Sequence, residues 1–317
     1  MKRQVDMATV FREPTTPAIP HGAQGAIRHG FVSFFGAPVV EDIAATRVDA
    51  GFVGVPFDAG TNDRPGARFG PAAVRDASAR YHPSAEWAGW VDAERGVRIL
   101  EGVSMADIGD VDVRTIDILD NFGIITDAAR LARRACAVPV FVGGDHAITF
   151  PIVRAFDDVP GGLALVQFDA HQDYTDEKFG VRYSHDNHMR RSSELPFVQQ
   201  IINIGLRGVL ERDEPWEAAH RDGVPAALAG VPGGGAAYVT IDIDVLDPGG
   251  APGTGYPEPG GLTYYQLKEA LLLVAERYDV VAFDVTEVDP VYDAAGVTAR
   301  VAARLILDLL GAIFARR

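Results

Sequence analysis

Three ionisable residues at alternate positions, Asp169, His171 and Asp173, close an apolar run in VQFDAHQDYTDE. On a strand, alternate side chains share one face, so these three would crowd together where the strand ends. Burying them unpaired is costly, which implies a positive group between them. The signature recurs at three other apolar runs. VFVGG is followed by Asp145 and His146, YVTI by Asp242, Asp244 and Asp247, and VVAFDVT by Glu287 and Asp289. His146, Asp169, His171, Asp173, Asp242 and Asp244 together form a mixed nitrogen and oxygen ligand set without sulfur. Such a set suits Mn²⁺ or another borderline-hard divalent ion better than a structural zinc cage. Single clusters have plainer explanations, Asp145 as a helix cap and Asp247–Pro248 as a turn opener. The joint pattern does not.

These groups need a scaffold that gathers strand ends. From about residue 48, strand-like and helix-like runs alternate, and the strand runs are apolar throughout. That pattern predicts a three-layer α/β/α fold, with a mostly parallel central sheet covered by helices on both faces. In such sheets, sites form at the carboxyl ends of the strands, and all four clusters fall there. A helix is expected to begin near Pro71. Another carries a stripe through Ile118, Phe122, Ile125, Ala129 and Leu131. Residues 1–47, rich in Pro, Gly and Ala, read as an N-terminal arm, and residues 48–317 as one domain.

Composition narrows the function classes. The 317 residues are 47% hydrophobic and 23% charged, with a formal net charge of −15. That balance argues against nucleic acid and anionic membrane as partners and favours a cationic substrate. The single cysteine, Cys136, excludes an intrachain disulfide framework or a thiolate cluster and reads as a packed thiol. No apolar run reaches the roughly 18 residues of a membrane span, and no signal-peptide pattern opens the chain. A cytoplasmic protein is expected.

GGDHAIT, DAHQD, TIDIDVLDPGGAPGTGYPEPGG and DVTEVDP, preceded by RPGARFGP, follow one another in this order. Together they resemble the ureohydrolase family, which comprises arginase, agmatinase and other guanidino-compound amidinohydrolases. PGTGYPEPGG and RPGARFGP look most like its agmatinase-type branch. The resemblance covers residues 50–315 and implies an arginase-like fold, a homotrimer or homohexamer, and two Mn²⁺ per chain, with Ni²⁺ or Co²⁺ as alternatives. It implies that His146, Asp169, Asp173 and Asp242 hold one ion and Asp169, His171, Asp242 and Asp244 the other. Asp169 and Asp242 would then bridge. Asp173 would also pass a proton toward the leaving amine, and Glu287 would pair with the substrate guanidinium, a planar group suited to carboxylates.

His185, in YSHDNHMRR, matches the family's proton-shuttle histidine. Asp186 stands where the family has glycine, and His188 follows, read either as a surface or capping residue or as a displaced shuttle. Residues 209–235 are short for the family, so an edge strand is expected to be missing or shortened. The loop YTDEKFGVRYS should set specificity. Asp176, Glu177 and Asp186 would attract the distal ammonium of agmatine, whereas Lys178 and Arg182 would bind the carboxylate of a guanidino acid. Agmatine is the first expectation, with Asp176, Asp186 and Glu287 as substrate-binding candidates; guanidino acids and guanidine are the alternatives. A zinc deacetylase-like enzyme would need a tandem histidine pair, which this chain lacks. A non-catalytic relative would be expected to have lost ligands or Glu287.

Overall fold

In a computed structural model, the protein is described over residues 32–81, 89–114, 117–209, 218–219 and 233–317. The strands are β1 (Val48–Val55), β2 (Trp90–Asp92), β3 (Val97–Ile99), β4 (Met105–Asp110), β5 (Cys136–Gly143) and β6 (Leu163–Phe168). They continue with β7 (Val198–Ile204), β8 (Ala218–Ala219), β9 (Ala236–Asp242) and β10 (Asp279–Thr286). The helices are α1 (Gly70–Ser78), α2 (Ile118–Ala135), α3 (Thr149–Val153), α4 (His188–Ser193), α5 (Tyr264–Arg277) and α6 (Val297–Phe314).

Eight strands form one sheet in the order β4-β1-β5-β10-β9-β6-β7-β8, and every pairing in it is parallel. β2 and β3 form a separate antiparallel hairpin. Neighbouring residues on one strand enter opposite cores. Val140 and Val239 join Leu267, Leu271, Leu305 and Leu309 of α5 and α6, while Phe141 and Tyr238 join Phe122 and Ile125 of α2. Burial on both faces is why these strands read as unbroken apolar runs.

Local signals set the helix ends. The Asp117 side chain accepts from Asp120 N at the start of α2, and Thr263 with Gln266 forms a capping box on α5. Pro71 sits in the first turn of α1. The α2 stripe continues through Ala132, which is fully buried, and not through Leu131, which is exposed. Three-four spacing from Ala129 selects Ala132, so the arginine-flanked leucine turns outward.

Of the segment read as an arm, residues 1–31 lie outside the described residues. Phe34 and Phe35 are buried in the core, where Phe34 N donates to Asp107 Oδ2. The expected shortened edge falls mainly on residues 210–217 and 220–232, outside the described residues, and β8 between them spans two residues. Among the described residues no helix is long and apolar enough to cross a membrane.

Candidate functional site

β5, β10, β9 and β6 are consecutive neighbours in the sheet, and their registers align the carboxyl ends. Val142 pairs with Val285, Thr286 with Asp242, and Ile241 with Phe168. The four acidic clusters, scattered over 145 sequence positions from Asp145 to Asp289, therefore stand side by side on one edge.

Two groups form there. His146 Nδ1 lies 3.0 Å from Asp169 Oδ2, 3.2 Å from Asp173 Oδ2 and 3.2 Å from Asp242 Oδ2. His171 Nδ1 lies 3.0 Å from Asp244 Oδ2 and 3.5 Å from Asp169 Oδ1. Asp169 thus turns one oxygen to each group. Asp242 reaches the first group with Oδ2, while its Oδ1 accepts from Asp244 N at 2.8 Å. Asp242, read as a bridge, thus turns its Oδ2 toward the first group.

The donor set fits divalent cations. Thr240 Oγ1 donates to Asp284 Oδ1 at 2.6 Å, so toward His146 Nε2, at 2.7 Å, the same hydroxyl acts as acceptor. That assigns the proton to Nε2 and leaves a lone pair on Nδ1. His146 Nδ1 is buried and makes no hydrogen bond, although three carboxylate oxygens lie within 3.2 Å. It is aimed at the space between them, where a cation belongs. Without one, burial opposes a charge on His146, yet Asp169, Asp173 and Asp242 hold its pKa well above the usual value. Burial raises both the Asp242 and the Asp244 carboxyls. Repulsion from Asp244 and Asp169 adds to it at Asp242, whereas at Asp244 repulsion from Asp169 works against the attraction of His171. Two dications would offset the four carboxylates.

Glu287 sits beside the first group. Its Oε1 accepts from His146 N at 2.9 Å and lies 3.4 Å from His185 Nδ1. Asp173 and Glu287 both hold left-handed backbone, with φ of 51° and 58°. For such residues this costs about 1–3 kcal/mol and is typical of functional sites. Burial pulls the His185 pKa down, but Glu287, then Asp186, raise it to about 9. Asp145 caps the turn at His146–Ile148, its side chain accepting from Ala147 N as the plainer reading had it. Burial and then Glu287 raise its pKa to about 8. Asp247 likewise takes its turn role, accepting from Gly249 N. Cys136 is buried, which pushes its thiol up to about 12.

The loop candidates divide. Asp176 is committed to Arg182 and Arg191 and ties the loop to α4, so it does not join the cluster. Asp186 Oδ2 lies 3.7 Å from His185 Nε2, with Asn62 Nδ2 at 2.5 Å and Lys178 Nζ on Oδ1 at 3.2 Å. His188 departs from its surface or capping reading: it is 1% exposed, with Nε2 at 2.8 Å from Asp173 Oδ2. Thr240, Asp284 and Gln167, whose Nε2 donates to Asp169 Oδ2 at 2.6 Å, were not legible in the sequence as members of the site. The one cue was the alternation of Gln167, Asp169 and His171.

A profile of the arginase family matches residues 48–311. The mitochondrial guanidino acid hydrolase of Homo sapiens is 36% identical over 284 residues, spanning 84% of this chain and 78% of that one. The mitochondrial agmatinase of Gallus gallus is 35% identical over 314 residues, spanning 92% of this chain and 88% of that one. Among solved structures, proclavaminate amidino hydrolase from Streptomyces clavuligerus aligns with a TM-score of 0.79 and 30% identity. That alignment covers 90% of this chain and 97% of that one.

Proposed function

The chain belongs to the arginase family, hydrolases that act on the C–N bonds of guanidino compounds, and from that premise we propose that its substrate is agmatine, cleaved to urea and putrescine with two Mn²⁺ bound. The carrying observation is the lone pair of His146 Nδ1 amid three carboxylate oxygens, with Asp169 shared by the neighbouring His171 group. The ions would supply positive charge that brings the pKa of a water toward neutrality. Glu287 pairs with the substrate guanidinium and fixes its plane. Asp173 takes a proton from the attacking water as its oxygen bonds to the guanidinium carbon, and passes that proton toward the nitrogen whose C–N bond breaks. His185 supplies the further proton that releases the amine as an ammonium, and is reloaded by the proton lost as the urea carbonyl forms. A trimer or hexamer and a cytoplasmic location belong to the same proposal and rest on the sequence.

Asp186 supports agmatine, since it is the carboxylate beside His185, and Lys178 bonds its other oxygen. A guanidino acid is the second reading, favoured by Lys178 in that pair and by the human relative. A substrate panel scored by urea release separates them. Agmatine, arginine, 3-guanidinopropionate, 4-guanidinobutyrate and guanidine should be compared in Mn²⁺ and again in Ni²⁺. An unpaired charge at the distal end of the substrate changes kcat/KM by orders of magnitude. Agmatine should lead, and Asp186→Asn should erase its lead. A lead for 4-guanidinobutyrate that Lys178→Ala abolishes would establish the second reading instead. Higher activity in Ni²⁺, with two ions bound per chain, would correct the metal and leave the reaction standing.

A further inference from the structure

His188 lies in the stretch that departs from the family pattern, and nothing above gives it a task. The turn His185–Asn187 runs directly into α4, so the two histidines of HDNH sit at one junction. They serve different partners: His185 faces Glu287, whereas His188 faces Asp173. The His188 ring packs on the His146 ring, with centroids 3.8 Å apart and planes tilted by 33°. Both rings approach Asp173 Oδ2, His146 Nδ1 at 3.2 Å and His188 Nε2 at 2.8 Å.

Their alignment differs. His146 Nδ1 makes no hydrogen bond to any of the oxygens around it, whereas His188 Nε2 has the geometry of a hydrogen bond to Asp173. With the proton on Nε2, His188 Nδ1 is bare, and it is buried without a partner. The same junction holds the Asp173 main chain, because Met189 N and Arg190 N approach its carbonyl oxygen at 3.1 and 3.4 Å. Asp173 needs such support, given its left-handed backbone. We propose that His188 is a positioning residue: its Nε2–H holds the Asp173 carboxylate in the orientation that serves the first ion. It is not itself a ligand. The inference rests on the two-ion reading of the site but not on which guanidino compound is cleaved.

A glutamine amide reaches where Nε2 lies, and an asparagine amide only where Nδ1 lies. In His188→Asn, binding of the weaker ion should loosen by about 10–100-fold, the usual effect of losing such a support. It is read by competition with a metal-sensitive dye at equal circular dichroism. His188→Gln should restore most of that affinity. In pulsed EPR of the Mn²⁺-loaded protein, the number of coupled imidazole nitrogens should be the same in wild type and both variants. Loss of one imidazole coupling in both variants would make His188 a ligand and overturn the proposal. Equal affinities for Asn, Gln and wild type would overturn it as well. If the wild type holds no ions under the same conditions, the two-ion premise falls, and this inference falls with it.

Discussion

His185 carries the clearest pH signature at the scale of single residues. Glu287 and Asp186 raise its pKa from 6.5 to about 9 against the effect of burial, so at neutral pH the ring is an imidazolium. Its attraction to Glu287 stabilises the fold fully below pH 6.5, fades as pH rises toward 9 and is lost above. The same proton serves the departing amine. The kcat/KM profile should therefore show an alkaline limb at or below pH 9, since bound cations can only push this pKa down. His185→Asn should remove that limb and lower kcat by about 10²-fold or more; a limb that survives the substitution belongs to another group. What could be read from single residues followed one rule. His146, Asp169, His171 and Asp242 declare themselves because ionisable groups at the end of an apolar strand are expensive. Thr240 and Asp284 do not, because each looks like an ordinary strand residue until β9 and β10 pair them across the sheet. Their meaning is non-local: Asp284 accepts from Thr149, Thr240 and Tyr238 and so fixes the tautomer of a histidine on β5–α3.

Elements were legible where punctuation or periodicity is strong, as at Pro71 in the first turn of α1 and along the Phe122, Ile125 and Ala129 stripe of α2, all three of which are buried. They were less so where packing decides, as in the choice of Ala132 over Leu131 on α2. Gly144 shows how closely elements meet near the site. A Cβ there would stand 1.6 Å from Phe57 O, which explains the second glycine of GGDH without any catalytic role. The β2–β3 hairpin is attached to the helical layer by buried charge. Lys268 of α5, itself 4% exposed, lies 3.0 Å from Asp92 Oδ2 and 3.5 Å from Asp308 Oδ1, and it also meets Glu94. Lys268→Met keeps the stem and removes the charge, which leaves Asp92 and Asp308 buried with Arg304 as their remaining cation. Breaking such a network by removing one partner costs about 3–5 kcal/mol, and Arg304 should hold the loss near the lower end. A fall in the urea midpoint at unchanged slope and unchanged metal content is expected. An unaltered midpoint would mean that Arg304 alone balances the two acids.

The whole molecule adds its field. A formal charge of −15 over 317 residues surrounds a site whose own carboxylates would be offset by bound ions, so the long-range field comes from the remaining surface. Agmatine is a dication at neutral pH and 4-guanidinobutyrate a zwitterion, so only the first gains from a negative potential at the mouth. Raising ionic strength from about 0.01 M to about 0.15 M shortens the screening length from about 30 Å to about 8 Å. Over that range kcat/KM for agmatine should fall and that for 4-guanidinobutyrate should stay flat, with kcat for both unchanged. The contrast separates two origins of an agmatine preference. A preference that vanishes at high salt belongs to the field of the chain. One that persists belongs to short-range contacts, and Asp186 beside His185 is the group to carry it. If agmatine turnover instead rises with salt, the mouth of the site is positive despite the composition, and the cation-selective reading of this protein is wrong at both scales.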